Sequence, residues 1–149
     1  MNELPPILRD QRKVDANHLN LLAIFHFISA GFALLGMLFL LAHFAIFHAV
    51  FSHPEIFNDP KLSPDGRHGP NPAEIFAVFK WFYLVIGTWI LCSGILNLIS
   101  GFYLRARKHW TFSVVVAVFN CFYMPIGTVL GVFTIIVLVR DSVRELYDA

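Results

Sequence analysis

Residues 109–139 read HWTFSVVVAVFNCFYMPIGTVLGVFTIIVLV without one Asp, Glu, Lys or Arg, and the topology turns on whether this run goes straight or doubles back. Its apolar part, about 29 residues, is generous for one crossing of about 30 Å of hydrocarbon and short for two. At its centre Met124-Pro125-Ile126-Gly127-Thr128 sets a helix breaker two residues before the most permissive residue, a signature of a turn or a kink. The distribution of Arg and Lys is an independent criterion, because cytoplasmic loops of membrane proteins are enriched in them. If the run doubles back, Arg9, Arg12, Lys13, Arg105, Arg107, Lys108, Arg140 and Arg144 share one side, and only Lys61, Arg67 and Lys80 face the other. If it runs straight, Arg140 and Arg144 change sides and the bias all but disappears. The spacing therefore predicts a short third helix over about 107–123 and a fourth over about 127–146.

Two further charge-free stretches lie upstream, from Asp15 to Glu55 and from Trp81 to Leu104. Each is long enough to cross a bilayer. The first helix is expected over about 19–51 and the second over about 73–104, separated by an outer loop at 52–71 that contains Pro54, Pro60, Pro64 and Pro70. Ser63-Pro64-Asp65-Gly66 reads as a turn, and Asn71-Pro72 as the start of the second helix. With 57% hydrophobic and 14% charged residues in 149, the chain has more apolar surface than a soluble domain of this size can bury. The expected fold is all-α, an integral membrane four-helix bundle of two long helices followed by a short helical hairpin, within one domain. A formal net charge of +1 provides no basic field to recruit nucleic acid. Nothing in the polar first 18 residues and the long apolar run after them reads as a cleaved leader.

The helix faces carry the candidate contacts. Gly87, Gly94 and Gly101 recur every seven residues, with Ser93 and Asn97 close by on the same side, and Gly127 and Gly131 form a GxxxG. Such stripes read as helix-packing faces, within the chain or toward a partner. Asn97 and Asn120 are costly in hydrocarbon unless each finds a hydrogen-bond partner, and they are expected to serve each other. Cys92 and Cys121 sit in apolar runs as packing material. Five of the seven histidines, His18, His26, His43, His48 and His53, lie on or beside the first helix. Of these, His26 and His43 fall well within the span; each hydrogen-bonds a neighbouring helix, is a candidate contact for haem or quinone, or serves another metal or a proton relay. Their separation of 17 residues, roughly 25 Å of helix rise, argues against one compact metal site.

Catalytic signatures are missing: there is no nucleophile elbow, no His-Glu-x-x-His, no phosphate-binding glycine loop and no pair of intramembrane carboxylates. Glu55, Asp59 and Asp65 match no calcium-loop spacing. The stretches His18-Leu19-x-Leu21-Leu22-x-x-Phe25-His26 and Pro125-x-Gly127-Thr128-x-Leu130-Gly131-x-Phe133-Thr134 resemble a set of small, uncharacterised bacterial membrane proteins with HLxLLxxFH and PxGTxLGxFT patterns. The resemblance covers both ends of the chain and implies a multi-span protein of the bacterial inner membrane, with no catalytic role attached. Three functions are open at this point. The chain is a non-catalytic accessory or scaffold subunit surrounded by lipid and other membrane subunits, a redox or pigment-associated protein contacting a cofactor through His26 or His43, or a small transporter or channel.

Overall fold

The computed structural model describes residues 6–53, 72–123 and 125–147. The loop at 54–71, with its turn at 63–66, its carboxylates and Asn71, lies outside the described residues, as does Met124. All the described secondary structure is helical: α1 (Pro6–Phe51), α2 (Pro72–Ala106), α3 (Trp110–Asn120), α4 (Ile126–Leu138) and α5 (Asp141–Arg144). Of these, α1 and α2 are long and apolar enough to cross a membrane.

The boundaries differ from expectation in three places. First, α1 begins at Pro6, a full 12 residues before His18, because hydropathy marks where a helix turns apolar and not where it starts. Proline suits a first helical position, where its missing N–H would have had no partner. The polar first turns stay helical while Asp15 and Leu19 are drawn into the interior. Second, the expected fourth helix to 146 stops at Leu138, and Arg140 is extended (φ −68°, ψ 131°). That break lets the short α5 fold so that Val143 is fully buried and Leu146 and Tyr147 pack on the core. Third, α3 has only 11 residues and α4 only 13, about 16 and 20 Å of rise.

Between α2 and α3 the chain reverses through two left-handed residues, Arg107 (φ 52°) and His109 (φ 53°). Lys108 N–H donates to the Tyr103 carbonyl at 3.0 Å, closing the end of α2 in the manner of a Schellman cap. A non-glycine residue in this conformation costs about 1–2 kcal/mol. Tyr103 packs over the turn against His109 and Phe112, with ring centroids 4.6 and 5.3 Å away.

The chain divides into two compact units, Met1–Phe32 with Ser93–Ala149, and Ala33–Cys92. In the first, Leu19, Leu22, Ala23, Leu104, Leu130, Val137, Leu138 and Val143 form the core. Trp110 donates its indole N–H to the Leu138 carbonyl (2.9 Å) and lies beneath the Arg144 guanidinium. The second unit pairs the later part of α1 with the earlier part of α2. Its contacts are aromatic: Phe44 meets Tyr83 edge-on at 5.2 Å, and Phe51 stacks on Phe76 at 6.0 Å. No described side chain of this unit is buried.

Candidate functional site: a polar junction of four helices

Beside its apolar core the first unit buries a set of polar side chains, and much of its outside is apolar. Asp15, His26, Asn97, Ser100, Ser113, Asn120 and Thr134 are all buried, whereas Phe25, Phe32, Leu98, Phe119, Ile126 and Phe133 are exposed. Large exposed apolar surfaces mark contact with lipid or with another protein.

One buried polar side chain from each of α1 to α4 meets at a junction. Asn97 Nδ2 donates to Asn120 Oδ1 at 2.9 Å, and Asn120 Nδ2 donates back to Asn97 Oδ1 at 2.8 Å. The structure thus pairs the two amides reciprocally, with the second Asn97 N–H on the Ser93 carbonyl (3.0 Å). Asn97 also adjoins the His26 ring. Thr134 donates its hydroxyl to the Leu130 carbonyl (2.7 Å), so its oxygen is left to accept from His26 Nε2–H at 3.3 Å. That order of donors leaves His26 Nδ1 as a bare acceptor, buried and without a hydrogen-bond partner among the described residues.

A second polar group closes the other end of the first unit. Asp15, fully buried, has its carboxylate 3.6 Å from the Arg140 guanidinium, and Arg12 reaches Glu145 at 3.5 Å. Tyr147 packs on the apolar core, its hydroxyl buried without a hydrogen-bond partner among the described residues, and burial pushes its pKa up to about 12, opposed by Arg107. Sequence reading missed Asp15, which looks like part of a solvated polar leader. Only its position four residues before Leu19 and eleven before His26, on one helical stripe, signals an inward face.

The glycine faces are occupied by the chain itself. A Cβ at Gly101 would meet the Phe27 ring at 2.7 Å, and one at Gly87 would touch Leu40 at 3.3 Å. A Cβ at Gly131 would collide with the Ala117 carbonyl and lie 2.7 Å from Cys121 Sγ, and one at Gly127 would collide with Tyr123 Cβ. Gly94 is half-buried. Of the two alternatives for these stripes, within the chain or toward a partner, the close neighbours of Gly87, Gly101, Gly127 and Gly131 are residues of this chain.

The two candidate cofactor histidines diverge. His26 is enclosed at the junction. His43, in the other unit, is exposed, hydrogen-bonded through Nδ1 to the Tyr83 hydroxyl and stacked against Phe47 at 4.9 Å. Cys92 and Cys121 are free thiols, and the latter donates to the Ala117 carbonyl at 3.3 Å. Among the described residues no group of three or more His, Cys, Asp or Glu side chains is placed to hold a metal ion. Comparison of the chain with family models, with curated proteins and with solved structures gives no match.

Proposed function

We propose that this chain is a non-catalytic, polytopic protein of the bacterial inner membrane, with both termini cytoplasmic, that acts as an accessory or scaffold subunit of a larger membrane assembly. The observation that carries this reading is the Ala33–Cys92 unit, a pair of apolar helical segments in which no described side chain is buried. Two helices cannot enclose their own aromatic faces. Phe39, Trp81 and Phe82 are exposed there, and such side chains supply contact area for a protein partner. The polar junction fits a packing role, because amides and hydroxyls that bond across helices hold a membrane bundle together.

The α3 and α4 hairpin supports the four-helix arrangement in a shortened form. At about 16 and 20 Å its arms pass the midplane of a 30 Å core without clearing it, so we place its turn within the outer half of the hydrocarbon. Backbone groups at such a turn need partners inside the protein. Thr128 satisfies this by donating its hydroxyl to the Cys121 carbonyl (2.9 Å) and its N–H to the Tyr123 carbonyl (3.0 Å). The resemblance to small bacterial membrane proteins belongs to the same proposal.

Purification from native membranes in mild detergent, with mass spectrometry of the co-purifying chains, tests the reading. It expects a reproducible partner in stoichiometric yield. A lone monomer that catalyses turnover or transport in liposomes would overturn it. A second reading is favoured by His43 alone. With Nδ1–H donating to the Tyr83 oxygen, Nε2 keeps a lone pair at an exposed position for a haem or quinone. A visible spectrum of the same preparation, with and without His43→Ala, decides it.

A further inference from the structure

Between the outer faces of α1 and α4, within the first unit, runs a groove of about 650 Å³. On α1 it follows one helical stripe from His18 through Phe25 to Phe32, and on α4 it runs from the Pro125 turn through Val129 and Phe133 to Arg140. From His18 to Phe32 is about 21 Å of helix rise, somewhat more than one leaflet of a 30 Å hydrocarbon core. The walls are apolar except for Ser29, His18 and Arg140, and the last two lie on the first and last turns of their stripes, at the same end. The groove is therefore amphipathic along its length, with an aromatic and aliphatic trough and a polar mouth.

The geometry points to a phospholipid as the occupant, one acyl chain lying in the trough and its phosphate at Arg140, beside His18. This rests on the membrane reading above. The groove cannot be filled by α2 or α3, which do not line it. At the mouth, Arg12 is engaged by Glu145, so Arg140 is the cation that faces the groove. Asp15 lies 3.6 Å from one side of the Arg140 guanidinium, an ion pair without a hydrogen bond. The Arg140 side chain is still 43% exposed, and a guanidinium has five donors in a planar fork that matches phosphate oxygens. His18 also lines the groove at this end. A neutral quinone would bring no anionic oxygen to the exposed donors of the Arg140 fork, and a helix from a second copy would need a carboxylate at the mouth.

The test uses the full chain in mild detergent, titrated with phosphatidylglycerol and with diacylglycerol of identical acyl chains, which lacks the phosphate, and read by native mass spectrometry. The expected result is one retained lipid per chain with a preference for phosphatidylglycerol over diacylglycerol of at least about tenfold, the low end for one hydrogen bond from a charged donor to its phosphate. Arg140→Gln should remove the preference and leave the acyl affinity, whereas Val129→Trp should expel both lipids. If Arg140→Gln fails to fold because it strands Asp15, Arg140→Lys keeps the opposing charge, removes the fork and should still reduce the preference. Equal retention of the two lipids by the natural chain, or an undiminished adduct in Val129→Trp, overturns the proposal. So does a chain-to-chain disulfide through Phe133→Cys that excludes lipid, which would make a second copy the occupant. Alkaline carbonate extraction separates the two levels. A chain released into the supernatant defeats the membrane reading itself, and a resistant chain without the lipid adduct defeats the groove alone.

Discussion

Replacing Asn97 by Ala should cost more than replacing Asn120 by Ala, although the two amides bond each other symmetrically. In Asn97→Ala both reciprocal bonds vanish and the Asn120 amide, 4% exposed, keeps no partner among the described residues. In Asn120→Ala the Asn97 Nδ2 retains the Ser93 carbonyl at 3.0 Å, and only its oxygen is orphaned. A buried polar group left unpaired costs about 1–3 kcal/mol, and measured interhelical hydrogen bonds in membranes contribute about 0.6 kcal/mol each, up to about 1.7. The expected losses are about 2–3 kcal/mol for Asn97→Ala and about 1–2 kcal/mol for Asn120→Ala. The double variant removes both amides and orphans neither, so it should lie close to Asn97→Ala alone, with about 1–1.5 kcal/mol of coupling. Equilibrium unfolding in mixed micelles of mild detergent and dodecyl sulfate, followed by circular dichroism, measures all four corners of the cycle. Additivity within about 0.5 kcal/mol, or the opposite order of the two single variants, would refute the reasoning.

Gly131→Ala should destabilise the α3 and α4 hairpin by about 1–3 kcal/mol, because the new methyl meets the Ala117 carbonyl, which is backbone and cannot rotate away; unfolding in the same micelles checks it. Gly101→Ala meets only the Phe27 ring and should cost less in that assay. Tyr147, with its pKa raised from 10.0 to about 12, binds its proton more tightly in the folded chain than in the unfolded one. Its contribution is therefore whole below pH 10 and is lost as pH rises toward 12, so thermal melts over that window should fall more steeply than those of Tyr147→Phe. A reporter fused after Ala149 should register a cytoplasmic location, and an external one would mean that 109–139 crosses the membrane once.

Much of the architecture was legible because membrane-like helices announce themselves by the absence of charge. The charge-free run after Asp15 and the one after Trp81 became α1 and α2, and Pro125 with Gly127 marked the reversal between α3 and α4. The Asn97 and Asn120 pairing was legible for a related reason, since isolated amides in apolar helices have few places to go. The polar ends were not. Hydropathy sees Asp15 as part of a solvated leader; its spacing puts it on one helical stripe with Leu19 and His26, but only tertiary packing shows it buried opposite Arg140. The break at Arg140 has no proline or glycine to announce it. It exists because Val143, Leu146 and Tyr147 gain burial when the chain bends. The glycines were legible as close-approach positions, but nothing in a stripe says whether the approaching helix belongs to the same chain.

The central claim is that the Ala33–Cys92 segments are covered by another protein. Photocrosslinking in native membranes, from probes placed singly at the exposed positions Phe39, Leu41, Val78 and Val85 and at Phe133 on α4, tests it most directly. The account predicts a discrete crosslinked band of one constant partner mass from the α1 and α2 positions, and none from Phe133, which faces the lipid groove. Bare monomer at every α1 and α2 position, with lipid as the only adduct, would contradict it.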